Sequence, residues 1–334
     1  MMTETSFPRV SVGFVSCNRL QYLRAAIQSA RRCIQYPNLE WLIVDNASTE
    51  PGLRDYVASL DWVDVKVQNK ERHPRTEHMA ALNTIVSRAT GEYLVMLSDD
   101  IQFIVEGHWM QACVDVLQQH RWITSVALST LRKTTVDRSY GWRAWLNYRA
   151  VASDLKRYGR QFRTRRTIIA SDGTAFRSFG FMRPPIDGVG MISVTPISVW
   201  KRVGPWQAVA GDDGDMLDSS GGGEVDMLAR AVALGVRGHM VMPIVPVLAT
   251  ILTDDVGTNA KVRGNTRFGD YRPPVSGPFY YRICSEREAR DLAARRRPVG
   301  FEELIEPIGF ALPVDEDGSM RKVSINTEIQ HPLE

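Results

Sequence analysis

The apolar residues of the first hundred positions come in short unbroken runs, and these runs alternate with stretches of helical period. Residues 10–17, VSVGFVSC, are apolar and β-branched with no polar face, which predicts a strand buried on both sides. Leu20, Leu23, Ile27 and Ala30 then recur at helical spacing and predict a helix over 20–33, with Asn18 ahead of it as a cap. Residues 40–45 (EWLIVD), 64–68 and 92–97 (EYLVML) predict three more strands; 53–60 and 78–89 predict helices, the second stopped by Gly91. Uniformly apolar strands alternating with helices predict an α/β fold: a mostly parallel central sheet covered by helices on both faces. Such sheets bind ligands beyond the carboxyl ends of their strands. Two of the predicted strands end there in carboxylates, at Asp45 and at Ser98-Asp99-Asp100.

The second half is less regular. It predicts a helix over 107–119, a strand over 122–129, a strand and short helix within 191–204, and a helix over 224–234 closed by Gly235. A proline-interrupted strand over 240–248 and a helix over 286–295 complete the pattern. With 334 residues, 44% hydrophobic and 24% charged, the chain has the length and composition of one large soluble α/β domain with additions, or of two modest domains. Cys17, Cys33, Cys113 and Cys284 lack CxxC spacing, so a zinc site is not expected, and reduced cysteines point to a cytoplasmic protein. The start MMTETSFPRVSVGFV does not read as a signal peptide, and no apolar run reaches the length of a spanning helix. Peripheral contact with a membrane surface stays open.

Net charge is only +3, but its distribution is uneven. Residues 130–183 carry 13 Lys and Arg against three Asp, a local balance of +10 that leaves −7 for the rest of the chain. Tyr140, Trp142, Trp145, Tyr148, Tyr158 and Phe162 interleave with these arginines. Arginine reads phosphate bidentately and aromatic rings stack on sugars or bases. The segment, with Arg160, Arg163, Arg165, Trp142 and Trp145 as its contact residues, is expected to bind an anionic partner: a lipid-linked glycan, a polysaccharide or DNA carrying a hydroxylated base.

One or two carboxylates at a strand end, together with substrate phosphates, suit Mg²⁺ or Mn²⁺, so Asp99 and Asp100 are candidate metal ligands. Asp45, at the end of its own strand, is placed to accept hydrogen bonds from a base or ribose.

Taken together, VSVGFVSCNR, then EWLIVDNAST, then HMAALNTIVSRATGEYLVMLSDD resembles the nucleotide-binding half of glycosyltransferase family 2 over residues 8–120. Cys17-Asn18 stands where the family has a Tyr-Asn or similar pair, Asp45–Thr49 matches its second-strand loop, and Asn83 precedes ATGEYL. Ser98-Asp99-Asp100 stands at the DxD-type metal motif, with Ser98 where many members carry a further Asp. The resemblance implies the GT-A fold, a nucleotide-sugar donor with UDP first, Mn²⁺ or Mg²⁺, and an inverting reaction. It implies that Asp45 holds the base, Asp99 contacts ribose or metal and Asp100 coordinates the metal. Ser16, Asn18, Asn46 and Asn83 would complete the donor site.

Farther on, Gly190-Met191-Ile192 and Lys201–Gly204 fit the family's second half, and residues 223–230 (GEVDMLAR) fit its acidic helix start. Counting back from Arg230, Glu224 falls where the family places its general base and Asp226 is the later carboxylate, with Gly223 replacing the first acidic residue. Asp212-Asp213-Gly214-Asp215 is a competing alignment without the arginine. The histidine that many relatives carry after the final strand is missing from LATILTDDVG, where Asp254 or Asp255 stands nearest. The implied organisation is a GT-A domain over 8–250, with a donor half over 8–120 and an acceptor half over 121–250 that holds the basic insertion. Residues 251–334 would be an extension serving as a lid or a homodimer contact. Two rivals remain. A nucleotidyltransferase also joins such a sheet to a metal, but SCNRLQYL lacks the expected glycine-rich loop. A non-catalytic glycan-binding homologue would explain Ser98 and Gly223.

Overall fold

A computed structural model of the chain describes residues 7–73, 76–128, 130–132, 167–179, 192–207, 227, 230–231, 233–234, 239–242, 249–251 and 283–294. The first half follows the predicted order: β1 (Val10–Ser16), α1 (Leu20–Cys33), β2 (Leu39–Asp45), α2 (Leu53–Ser59), β3 (Val65–Gln68), α3 (Glu77–Arg88) and β4 (Tyr93–Ser98). Short strands β5 (Ile101–Phe103) and β6 (Val105–Glu106) lead into α4 (Trp109–Gln119), then β7 (Ser125–Leu128) and β8 (Thr130–Arg132). The later elements are β9 (Thr167–Ile169), β10 (Ala175–Phe179), β11 (Ser193–Pro196), α5 (Ile197–Val203), β12 (His239–Met242), β13 (Ala249–Ile251), β14 (Cys284–Ser285) and α6 (Glu286–Ala294).

The main sheet has nine strands in the order β3-β2-β1-β4-β11-β7-β12-β10-β9. Strands β1 to β4 are mutually parallel, and β12 is parallel to β7. β11 is antiparallel to both its neighbours and β10 to both of its own, so the sheet is mixed but mostly parallel. A second sheet, β5-β13-β8, stands beside it, and β6 pairs with β14.

Alternate side chains of the central strands enter two separate cores, which is why those strands lack a polar face. Val10, Val12 and Phe14 of β1 pack with Leu23 and Ile27 of α1, Trp109 of α4 and Val95 of β4. Leu42 and Val44 of β2 and Leu94 and Met96 of β4 face the other way, onto Leu82 and Ile85 of α3. Gly13 belongs to this second face, where an added Cβ would lie 2.5 Å from Ile85 Cγ2.

The amino ends of the strands are tied by a buried carboxylate. Glu40 is 2% exposed and accepts hydrogen bonds from the Thr90 N–H (2.8 Å) and the Thr90 hydroxyl (2.7 Å), and one from Ser11 Oγ. Ser11 in turn accepts from the Gly91 N–H (2.9 Å). Thr90 and Gly91 of ATGEYL are thus explained by packing: Thr90 fastens Glu40, and a Cβ on Gly91 would meet Ser11 N at 2.7 Å and Arg9 O at 2.8 Å.

Cys284 and Ala289 are buried in the first core, and Glu286 Oε2 accepts the His108 N–H (2.8 Å) ahead of α4. Residues 283–294 therefore pack as part of the main body. Among the described residues, no helix is long and apolar enough to cross a membrane. All four cysteines are free thiols.

Candidate functional site

Parallel pairing levels the strand ends. Ser16 pairs with Asp45, Asp45 with Gln68, and Val15 with Ser98, so the loops after β1, β2 and β4 open on one edge of the sheet. Asp99, the first residue past β4, is fully buried. Its Oδ2 accepts from Ser16 Oγ (3.1 Å) and the Cys17 N–H (3.3 Å), while its Oδ1 is ion-paired with Arg19. The same guanidinium reaches Asp100 Oδ2 at 3.4 Å. Burial pushes the Asp99 carboxyl up to about 6; Arg19 opposes that rise and Asp100 adds to it. Burial alone would lower the Arg19 pKa, but the two facing carboxylates outweigh it and hold the guanidinium firmly charged.

Asp45 is also fully buried and is held by its own loop: Ser48 donates through its N–H (3.2 Å) and its hydroxyl, and Arg54 Nη1 lies 3.5 Å away. Burial raises the Asp45 pKa, against the pull of Ser48, Arg54 and Arg72. Asn18 adopts a left-handed backbone, φ 53°, and joins the two loops. Its N–H donates to Ser48 Oγ (2.9 Å), and its Oδ1 accepts from the Thr49 (2.6 Å) and Glu50 (3.0 Å) N–H groups. The N-cap position of α1 belongs to Arg19, with no side-chain capping bond, and Glu50 accepts the Leu20 N–H (2.8 Å) instead. The expected capping role of Asn18 is thus replaced by a loop-joining one, because its αL backbone turns the amide away from α1 and toward residues 48–50.

Between these groups lies a cavity of about 110 Å³, lined by Ser16, Cys17, Arg19, Asn46, His78 and Asp99 among others. Ser16, Asn46 and Asp99 of the expected donor residues line it directly, whereas Asp45 and Asn18 shape the loop beside it. Burial pushes the Cys17 thiol up to about 12, so it lines the cavity protonated. Asn83 is placed elsewhere. Its Nδ2 donates to Trp206 O (3.0 Å) and its Oδ1 accepts the Trp206 N–H (2.8 Å), which fastens α3 to the segment after α5. Arg230 holds the same segment through Val203 O (2.8 Å) and Pro205 O (2.7 Å). Glu224, Asp226, Asp212-Asp213, Asp254, Asp255 and the acceptor residues Trp142, Trp145, Arg160, Arg163 and Arg165 lie outside the described residues; Met227 and Arg230, downstream of Glu224, are helical.

Two arginines were not among the residues expected from sequence. Arg19 stands directly after Asn18, and only the fold brings it to residues 99 and 100. Arg72 follows β3 and grips Glu77 bidentately (2.7 and 2.9 Å), leaving its buried Nη1 without a hydrogen-bond partner among the described residues.

The donor set suits a hard divalent cation. Two adjacent carboxylates converge on one guanidinium, whose single positive charge offsets only one of them, and carboxylate oxygens are the ligands Mg²⁺ and Mn²⁺ prefer. Among the described residues no group of three or more metal-binding side chains gathers.

The model of glycosyl transferase family 2 matches residues 11–183, more than half of the chain, and the chain belongs to that family. The O-antigen biosynthesis protein RfbC of Myxococcus xanthus is 28% identical over 112 residues, 34% of this chain and 8% of that protein. The uncharacterized protein y4gI of Sinorhizobium fredii is 25% identical over 112 residues, 12% of its length. The chain thus spans a small part of both curated relatives. Among solved structures, the mannosyltransferase PcManGT of Pyrobaculum calidifontis is similar with a TM-score of 0.47 and 18% identity, over 76% of this chain and 59% of that one. S. aureus TarS has a TM-score of 0.47 and 11% identity, over 75% and 37%.

Proposed function

We propose that this protein is an inverting glycosyltransferase that moves a sugar from a nucleotide diphosphate sugar, a UDP-sugar first, to a hydroxyl of an anionic acceptor. The observation that carries the donor half of this reading is that two levelled strand ends carry carboxylates at one edge of the sheet: Asp99 lines the cleft, Asp45 shapes the loop beside it, and Asp100 shares Arg19 with Asp99. Asp45, held rigid by Ser48, accepts from the base. Asp99, fixed by Ser16 and Cys17, accepts from the ribose or joins Asp100 at the metal. Asp99 and Asp100 would hold Mn²⁺ or Mg²⁺, which supplies neutralisation of the diphosphate leaving group.

Glu224, from its place in the family's acidic motif, takes the proton of the acceptor hydroxyl, and Asp226 is the later carboxylate of that motif. The freed oxygen forms its bond to the anomeric carbon from the face opposite the diphosphate. The carbon–oxygen bond to the diphosphate breaks, its electron pair leaves with the phosphate, and the configuration inverts. The excess of 13 basic over three acidic residues across 130–183 supports an anionic acceptor. The name of the M. xanthus relative, an O-antigen biosynthesis protein, favours a lipid-linked glycan or polysaccharide over DNA.

The test incubates the full chain with Mn²⁺ and UDP-, GDP-, CDP- or dTDP-sugars and measures nucleotide diphosphate release, with Asp100→Ala and Glu224→Gln as controls. Release from one donor class, lost in both variants, supports the reading, and NMR of a transferred product should show inverted anomeric configuration. No release from any donor, or release that both variants retain, contradicts it. Loss of heparin retention on changing Arg160, Arg163, Arg165 and Arg166 to Ala would support the anionic acceptor; unchanged retention would exclude it.

A further inference from the structure

The Asp99–Asp100 pair is already occupied by a cation that belongs to the chain. Arg19 is ion-paired with the fully buried Asp99 and lies 3.4 Å from Asp100, and its guanidinium also sits 5.9 Å from the centre of the Tyr22 ring. Its side chain remains 30% exposed, so it can swing toward solvent, whereas Asp99 cannot. A buried ionised carboxylate is costly without a partner, and removing that partner is strongly destabilising. A divalent ion arriving alone has to displace this tethered arginine and gains only two protein carboxylates among the described residues. An ion arriving with a nucleotide diphosphate brings phosphate oxygens of its own, and these also offer the released guanidinium a bidentate partner.

We infer that Arg19 is a built-in counter-ion that keeps the Asp99–Asp100 pair closed to a lone divalent cation, so that metal enters only together with a nucleotide diphosphate. This rests on the donor reading above and adds an order of binding to it. Arg19 is a positioning residue here, since it acts on the site through the two carboxylates.

The test follows Mn²⁺ binding to the full-length wild type and to Arg19→Met, by the electron paramagnetic resonance signal of free Mn²⁺ and by thermal unfolding, with and without UDP. Losing an opposite charge at this range changes a site's affinity for a competing cation by about tenfold or more. Arg19→Met should therefore bind Mn²⁺ alone at least that much more tightly than wild type, and Mn²⁺ alone should raise its Tm while leaving the wild-type Tm unchanged. Equal Mn²⁺ affinity in the two proteins overturns the inference. Should Arg19→Met not fold, Arg19→Gln, whose amide still donates to Asp99, carries the same comparison and the same two outcomes. A wild type that binds UDP with Mn²⁺ beside a variant with no gain for Mn²⁺ rejects only the role of Arg19. A wild type that binds no nucleotide diphosphate in excess Mn²⁺ rejects the donor reading, and this inference with it.

Discussion

Asn83 separates a motif-based role from a geometric one. By its place before ATGEYL it belongs to the donor site, yet its amide is spent on the backbone of Trp206 at 2.8 and 3.0 Å. Trp206 is 5% exposed, its ring centre lies 5.4 Å from that of Trp200, and it packs in the core with Met79 and Leu82 of α3. Asn83→Ala removes two hydrogen bonds and strands a buried N–H and C=O. At about 1 kcal/mol per bond, and more for a buried group left unpaired, the loss is about 2–4 kcal/mol. Urea unfolding followed by tryptophan fluorescence should show the midpoint falling at unchanged slope. Isothermal titration with UDP and Mn²⁺, at a temperature where the variant is folded, should give the wild-type Kd. Stability within about 0.5 kcal/mol of wild type, the range of an ordinary surface change, together with a tenfold weaker Kd would refute the structural role and return Asn83 to the donor site.

Two other expectations follow from burial. The carboxyl of Asp99 is raised to about 6 by desolvation, so the folded state binds its proton more tightly than the unfolded chain does. Without metal or donor, the stability this gives is full below the ordinary carboxylate range and is lost as pH rises through about 6. Asp99→Asn should thus gain on wild type in urea midpoint between pH 4.5 and 7.5 while losing nucleotide binding, and an advantage independent of pH would refute this. Gly91→Ala should cost about 3 kcal/mol, because two of its three close contacts are backbone atoms, Ser11 N in β1 and Arg9 O just before it, that cannot yield. Gly13→Ala should cost less, since the Ile85 side chain can turn aside; equal Tm losses would contradict that ranking.

What could be read from the sequence depended on how local the signal was. The bounds of α1 coincide with its apolar period, and β1, β2 and β4 match their apolar runs to within one residue at each end, because those elements bury whole faces in the two cores. β5 and β13 are three residues each and exist only by pairing across the chain, with Phe103 opposite Ala249, so no local pattern marks them. The same holds in the site. Asp45, Asp99 and Asp100 stand out because carboxylates end apolar strands. The partnership of Arg19 with residues 80 positions away is written in the topology alone, and Ser48 and Arg54 reach Asp45 through a loop conformation that no periodicity encodes.

The most direct measurement of the donor reading is a thermal-shift panel of UDP-, GDP-, CDP- and dTDP-sugars with and without Mn²⁺, on wild type and Asp100→Ala. Binding at about 100 times Kd adds about 2.7 kcal/mol to stability. The account predicts a rise in Tm with one nucleotide class, present only with Mn²⁺ and absent in Asp100→Ala. A panel with no shift for any donor, or a shift that Asp100→Ala keeps, would contradict it.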